Sequence, residues 1–148
     1  MAEHVIELSD VKKEYVMGDQ TVFALRGVSF TIDQGEFVTI MGPSGSGKST
    51  CMNMIGCLDR PSSGTVKING RDISQMTEKD LSYLRNVTVG FVFQQYFLLP
   101  AMTVLENVML PLRYSGVPRD ERVALAKEAL NKVGLSERIN HRPHELSG

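Results

Sequence analysis

Short extended runs separated by turn formers occupy the first part of the chain. Residues 5–8, 22–25 and 28–32 are rich in β-branched and other apolar side chains, and turn-forming residues separate them. These runs predict an antiparallel group of strands. Residues 37–41 form a near-continuous apolar run, which is typical of a strand buried on both faces, and residues 89–93 predict a second strand of that kind.

Helical patterns flank a hairpin signal in the middle of the chain. Residues 49–58 and 77–85 predict helices. Between them, residues 65–68 alternate between apolar and polar side chains, which predicts a strand. The dipeptide Asn69-Gly70 follows, and it favours a tight hairpin because both residues adopt positive φ readily.

Two further helices are predicted in the last third. Thr103 and Glu106 have the spacing of a capping box, in which each side chain satisfies a backbone donor of the other residue. Pro118 and Gly134 suit the beginning and end of the next helix. Its predicted core-facing stripe consists of apolar residues at helical spacing: Val123, Leu125, Ala126, Ala129, Leu130 and Val133.

Composition fits an ordinary globular protein and does not imply a nucleic-acid or anionic-membrane partner. The 148 residues are 42% hydrophobic and 22% charged, and 16 Lys and Arg nearly balance 17 Asp and Glu. The formal net charge of −1 supplies no basic field for nucleic acid, so no nucleic-acid partner is expected. The two cysteines, Cys51 and Cys57, are expected to be reduced and buried, which favours a cytosolic setting.

A glycine-rich loop directly after the first predicted buried strand carries the clearest chemistry. It matches the pattern G-x-x-x-x-G-K-[ST] and opens the helix predicted next. Its glycines permit close backbone approach, so that several amides can converge on phosphate oxygens. Lys48 adds a positive charge toward the β- and γ-phosphates, and the Ser49 hydroxyl can bind Mg²⁺. The loop consists of Gly42, Pro43, Ser44, Gly45, Ser46, Gly47, Lys48 and Ser49.

This loop alone does not distinguish a transporter ATPase from a GTPase, a kinase or a recombinase-like motor. Tyr15 ends the first extended segment and could stack on a purine ring, although a tyrosine in such a place more often packs in the core or at a sheet edge. Gln94 follows a predicted buried strand and could reach a metal ion or water near the γ-phosphate. Taken alone, a glutamine in this place is more often an ordinary structural residue.

Taken in order, these segments closely resemble the nucleotide-binding domain of ABC transporters. In that resemblance Tyr15 is the adenine-stacking tyrosine, residues 42–49 are the Walker A motif and residues 92–94 belong to the Q-loop. Residues 144–148 resemble the start of the LSGGQ signature. The resemblance covers the whole chain. Segments 52–61 and 91–96 are most similar to the lipoprotein-release and macrolide-export group, and they are less specific than the Walker A match.

The resemblance implies an α/β P-loop NTPase fold with a RecA-like core, an N-terminal antiparallel β subdomain and a partial helical subdomain. The chain 1–148 is then the N-terminal part of one ATP-binding domain. Residues 1–93 would form the β subdomain and the P-loop core strands, and residues 94–148 the Q-loop and helical subdomain. The C-terminal half of the core, with the Walker B aspartate and catalytic glutamate, is expected to be missing, so hydrolysis by this chain alone should be negligible.

The family also implies roles for individual residues, with ATP and Mg²⁺ as cofactors. Lys48, Ser49 and Thr50 would bind phosphates and Mg²⁺. Gln94 would help to hold Mg²⁺ at the catalytic centre and couple the site to a transmembrane subunit. Ser147 and Gly148 would contact the ATP held by a second copy of the domain.

The expected function is that of an ATP-binding subunit, ATP-hydrolysing in its full-length parent. It would drive export or lipoprotein release from the inner face of the cytoplasmic membrane, as a homodimer bound to a permease subunit. The apolar loop 96–102 could dock that subunit or pack within the helical subdomain. The alternatives are a nucleotide-binding fragment or regulatory module without turnover and, less favoured, a P-loop phosphotransferase.

Overall fold

The computed structural model describes residues 4–94 and 96–146 of the chain. These residues divide into two compact units, one ending at Phe91 and the other beginning at Val92.

The first unit is built on a four-stranded antiparallel sheet, which confirms the antiparallel group predicted near the N-terminus. The strands are β1 (His4–Met17), β2 (Gln20–Asp33), β3 (Ser63–Ile68) and β4 (Arg71–Asp72), in the spatial order β2-β1-β3-β4. The three short runs expected before residue 33 form two long strands instead. Because β1 pairs with β2 on one edge and β3 on the other, its backbone is the centre of the sheet.

The predicted hairpin after β3 is confirmed. Asn69 and Gly70 have φ values of 48° and 72°, and Ile68 pairs with Arg71 across the turn. Both central residues therefore adopt the left-handed conformation that the Asn-Gly dipeptide favours.

Two helices belong to this unit. Helix α1 (Lys48–Ile55) ends three residues before the predicted boundary at residue 58, and Cys57 then adopts a positive φ of 55°. Helix α2 (Glu78–Thr88) begins after Thr77, whose hydroxyl accepts from the Asp80 amide in a capping box. Both helices are thus present, with shifted ends.

The core of the first unit lies between the sheet, α1 and α2. Its central side chains include Val11, Met54, Val66 and Ile73, each with no exposed surface. The cysteine thiols are also buried, as predicted, and burial raises the pKa of both. They therefore behave as small apolar groups within the core.

The two predicted buried strands are wrong for the described residues. Segments 37–41 and 89–93 form no strand, and Phe37, Met41 and Val92 are among the most exposed apolar side chains, at 95%, 85% and 101%. An apolar run indicates a buried strand only if neighbours on both sides supply its backbone hydrogen bonds. No strand among residues 4–94 and 96–146 pairs with either segment, so the prediction from side chains alone did not hold.

The second unit contains helices α3 (Val104–Tyr114) and α4 (Arg119–Lys132), followed by short 3-10 turns. The capping box before α3 is confirmed: the Glu106 amide donates to the Thr103 hydroxyl at 3.2 Å, and the Thr103 amide donates to the Glu106 carboxylate at 2.8 Å. Within the described part of the chain, no helix is long and apolar enough to span a membrane.

The apolar stripe predicted on α4 is only partly buried. Ala126 and Leu130, one turn apart, are buried, whereas Leu125 and Val133 remain exposed at 42% and 68%. Residues 125, 129 and 133 form the adjacent row, rotated by about 100° around the helix. The packed face is therefore one row wide, and that width is decided by the neighbouring helix α3.

Replacement of Met54 tests the core of the first unit. Because the side chain is fully buried, Met54→Ala should lower the free energy of unfolding by about 2–5 kcal/mol. Met17→Ala removes the same atoms from a side chain that is 69% exposed, and it should change stability by less than about 0.5 kcal/mol. Denaturant titration of both variants measures the difference, and equal effects would contradict this description of the core.

Candidate functional site

The glycine-rich loop leads directly into α1 through a left-handed residue. Gly47 is the N-cap of α1 with φ 88°, and Gly45 also has a positive φ of 79°. A Cβ at Gly47 would lie 2.5 Å from the Ala24 carbonyl oxygen and 2.9 Å from Leu25 Cδ2. The loop thus approaches strand β2 so closely that both the conformation and the space require glycine at position 47.

The N-terminus of α1 is open to an anion. The first bond of its helical ladder runs from the Cys51 amide to the Gly47 carbonyl at 2.8 Å, so the amides of residues 48–50 precede that ladder. Within the described residues, no side chain caps this end and the first turn carries no acidic side chain. The helix dipole and these donors therefore favour a bound anion here.

The Lys48 ammonium lies across the loop itself. Its Nζ donates to the carbonyl oxygens of Gly42 and Pro43 at 2.8 and 2.7 Å, and it lies 3.4 Å from Ser46 Oγ. A backbone bond from the Ser46 amide to the Pro43 carbonyl closes the turn at 3.3 Å. The lysine consequently holds the loop closed and places a positive charge beside the open helix end.

Tyr15 lies next to the same helix, near the end of β1. Its hydroxyl donates to Asp59 Oδ2 at 2.9 Å, and the Asp59 amide in turn donates to the carbonyl of Asn53 in α1 at 3.3 Å. Burial, together with the bond to Asp59, raises the pKa of Tyr15, so its hydroxyl stays protonated. The structure therefore places Tyr15 against the connection that follows α1, the helix that the glycine-rich loop opens.

Asp59 and Lys13 complete this cluster, and the sequence analysis missed both. Lys13 Nζ donates to Asp59 Oδ1 at 2.6 Å and to the Arg60 carbonyl at 2.8 Å, and it lies 4.9 Å from the centre of the Tyr15 ring. Burial alone would raise the pKa of Asp59, but hydrogen bonds from Lys13, the Arg60 amide and Tyr15 hold it below its ordinary value. The sequence held one signal for this cluster: Lys13 and Tyr15 are two residues apart on a predicted strand, so their side chains lie on the same face.

The remaining predicted site residues lie elsewhere. Ser49 is exposed in the first turn of α1, where its hydroxyl is accessible. Gln94 lies in an exposed bend of the second unit. The predicted signature residues Ser147 and Gly148 lie outside the described residues.

The chemistry of the loop fits a nucleotide triphosphate with Mg²⁺. Open amides and the Lys48 ammonium suit phosphate oxygens, and the Ser49 and Thr50 hydroxyls are oxygen ligands of the kind that Mg²⁺ prefers. The sequence pattern of this loop, with α1 directly after it, is that of a P-loop nucleotide-binding protein.

Comparison with known proteins identifies the family. A family model described as ABC transporter matches residues 25–148. The match covers most of the chain, and the chain therefore belongs to the ABC transporter family.

Its relatives include separate ATP-binding proteins and fused permeases. An ABC transporter ATP-binding protein of Thermotoga maritima is 56% identical over 144 residues, which are 97% of this chain and 62% of that protein. A macrolide export ATP-binding/permease protein, MacB, of Rhodopseudomonas palustris is 50% identical over 148 residues, which are 100% of this chain and 23% of that protein. The chain thus spans less than two thirds of the length of these relatives.

Solved structures confirm the predicted fold class. The dimeric structure of MJ0796, a bacterial ABC transporter cassette, is 45% identical with a TM-score of 0.86, and the match covers 97% of this chain and 63% of that one. A dimeric post-hydrolysis state of MJ0796 bound to ADP and Pi is 44% identical, with a TM-score of 0.85 over 96% of this chain and 63% of that one. The chain has the P-loop fold of ABC ATPase cassettes.

Replacement of Gly47 tests the contact between loop and sheet. Gly47→Ala should lower the free energy of unfolding through left-handed strain of about 1–2 kcal/mol and a further cost of about 1–3 kcal/mol from the clash with β2. Gly18→Ala also strains a positive φ, of 61°, but its Cβ would meet nothing within 4 Å. Thermal or denaturant unfolding should therefore show the larger loss for Gly47→Ala, and equal losses would refute the close approach.

Proposed function

We propose that this chain is the nucleotide-binding part of an ABC transporter ATP-binding subunit, and that it holds Mg-ATP at the glycine-rich loop. The carrying observation is the open, uncapped N-terminus of α1 with the Lys48 ammonium beside it. The two features together present backbone donors and a positive charge to one anion. The match to the ABC transporter family supports ATP as the nucleotide.

Each residue of the loop then has a defined role. Gly42, Pro43, Ser44, Gly45, Ser46 and Gly47 would shape the backbone around the phosphates. Lys48 would exchange its bonds to the loop carbonyls for bonds to the β- and γ-phosphates. Ser49 and Thr50 would supply hydroxyls to the phosphates and to Mg²⁺, with Gln94 completing the metal site. Mg²⁺, when bound, neutralises negative charge on the phosphate oxygens.

Tyr15 is proposed as the platform for the adenine ring. Its hydroxyl donates to Asp59, whose amide bonds to the carbonyl of Asn53 in the helix that would hold the phosphates. Stacking on an aromatic ring contributes about 1–3 kcal/mol per base. The alternative is ordinary packing, in which the ring would have no effect on nucleotide affinity.

The partners proposed for the whole protein are a second copy of itself and a transmembrane permease. Homodimer formation is supported by the dimeric MJ0796 structures, and a permease by the fused ATP-binding/permease relative. In this assembly Ser147 and Gly148 would serve the partner's ATP. The protein would then lie on the inner face of the cytoplasmic membrane.

An exposed apolar segment of the second unit supports the proposed permease contact. Tyr96, Phe97, Leu98 and Leu99 have exposed fractions of 76%, 71%, 40% and 44%, and the Phe97 ring meets that of Phe93 edge to face at 5.1 Å. An apolar loop that stays exposed is typical of an interaction surface. This exposure favours docking over the alternative of packing within the unit.

The whole protein is proposed to hydrolyse ATP and to drive export or lipoprotein release, since its relatives include macrolide-export proteins. A module without turnover and a phosphotransferase were the alternatives. Neither is favoured by membership of the ABC transporter family.

Removal of the Lys48 charge tests the phosphate site. Lys48→Ala should abolish measurable Mg-ATP binding in calorimetry, because the phosphates lose their positively charged partner. Lys127→Ala removes a lysine from the exposed face of α4 and should bind like the unaltered protein. Far-UV circular dichroism should be the same for both variants. Retained ATP binding by Lys48→Ala would show that this loop is not the phosphate site.

Removal of the Tyr15 ring tests the base site. Tyr15→Ala should weaken ATP binding by about fivefold or more and leave inorganic tripolyphosphate binding unchanged, because only ATP has a ring to stack. Tyr83→Ala replaces another tyrosine, 63% exposed on α2, and should affect neither ligand. Equal losses of both ligands in Tyr15→Ala would remove Tyr15 from the base site.

A further inference from the structure

The Asp59 carboxylate links strand β1 to the connection between α1 and β3. It lies on the connection between α1 and β3, and it accepts from Lys13 Nζ at one oxygen and from the Tyr15 hydroxyl at the other, at 2.6 and 2.9 Å. Its Oδ1 also accepts from the Arg60 amide at 2.7 Å. Each carboxylate oxygen therefore has a donor, and the side chain is held in one orientation.

The two side-chain donors to Asp59 come from one face of β1. Lys13 and Tyr15 are two residues apart on the strand, so their side chains leave the same side of the sheet. The Lys13 side chain is 13% exposed and that of Asp59 is 29% exposed, and the ammonium also donates to the Arg60 carbonyl at 2.8 Å. Because the pair is largely withdrawn from water, it is more restrictive than an ion pair at the surface.

This arrangement controls how the Tyr15 ring is presented. The Asp59 carboxylate accepts from its hydroxyl, which ties the ring to the connection that follows α1. Lys13 Nζ lies over the ring, 4.9 Å from its centre. A cation on one face leaves the opposite face for a planar ligand.

We propose that Asp59 is a positioning residue of the nucleotide-base site, which holds the Tyr15 ring beside the P-loop helix and keeps Lys13 on its far face. The inference rests on the proposed function, because it assumes that a base stacks on Tyr15. It assigns Asp59 no contact with the phosphates. Its effect is therefore confined to ligands that carry a base.

The experiment compares Mg-ATP with inorganic tripolyphosphate by calorimetry on variants of the full chain. Asp59→Asn has nearly the same shape, but it removes the charge that Lys13 pairs with and replaces one acceptor oxygen with a donor. It should weaken ATP binding by about fivefold or more and leave tripolyphosphate binding unchanged. Glu78→Gln is the matched control, since Glu78 is an exposed carboxylate that pairs with Arg60 at 2.7 Å, and it should change neither affinity.

Tyr15→Phe tests the same bond from its other end. The variant retains the ring and the ion pair but loses the hydroxyl, so it too should weaken ATP alone. Combined with Asp59→Asn, it should add little, because both changes release the same ring. If a thermal unfolding scan shows that Asp59→Asn is unfolded, Tyr15→Phe alone tests the proposal.

The outcomes separate this inference from the proposed function. Unchanged ATP affinity in Tyr15→Phe, or an equal loss of both ligands in folded Asp59→Asn, would overturn the positioning role. A selective loss of ATP in Tyr15→Ala would still support the base site in that case. If Tyr15→Ala also bound ATP normally, the proposed base site and this inference would both be refuted.

Discussion

The contact between Gly47 and strand β2 is the constraint on which the proposed site depends. The residue must adopt a left-handed conformation to begin α1, and the neighbouring Ala24 carbonyl leaves no room for a side chain. Together these conditions fix where the helix starts relative to the sheet. The open amides, the Lys48 ammonium and the first-turn hydroxyls all take their positions from that start.

The sheet and α1 reinforce each other through two kinds of contact. Met54 is buried in the core between them, which fixes the helix by packing. Near the C-terminal end of β1, the side chains of Lys13 and Tyr15 bind Asp59, which lies on the connection that follows the helix. Apolar packing holds the helix against the sheet without fixing side-chain directions, whereas paired hydrogen bonds are directional. The contacts of Asp59 with Lys13 and Tyr15 therefore orient these side chains relative to the packed core.

The exposed apolar segments show that this chain has surfaces suited to further packing. Phe37 and Met41 precede the loop in an apolar run that the described residues leave unpaired. The chain spans 62% of its Thermotoga maritima relative and 63% of the solved cassettes. In those longer proteins more chain is present to supply neighbours for such a segment, and the two observations are consistent.

The sequence by itself determined the local features of this protein. The capping box at Thr103, the hairpin turn at Asn69-Gly70 and the phosphate-binding pattern depend on residues close along the chain, so their physics is contained in a short segment. Only the tertiary structure decided which apolar runs are buried and what surrounds Tyr15. A strand needs hydrogen-bonded neighbours, and the Asp59 carboxylate lies 44 residues from Tyr15 along the chain, so neither outcome can be deduced from a local pattern.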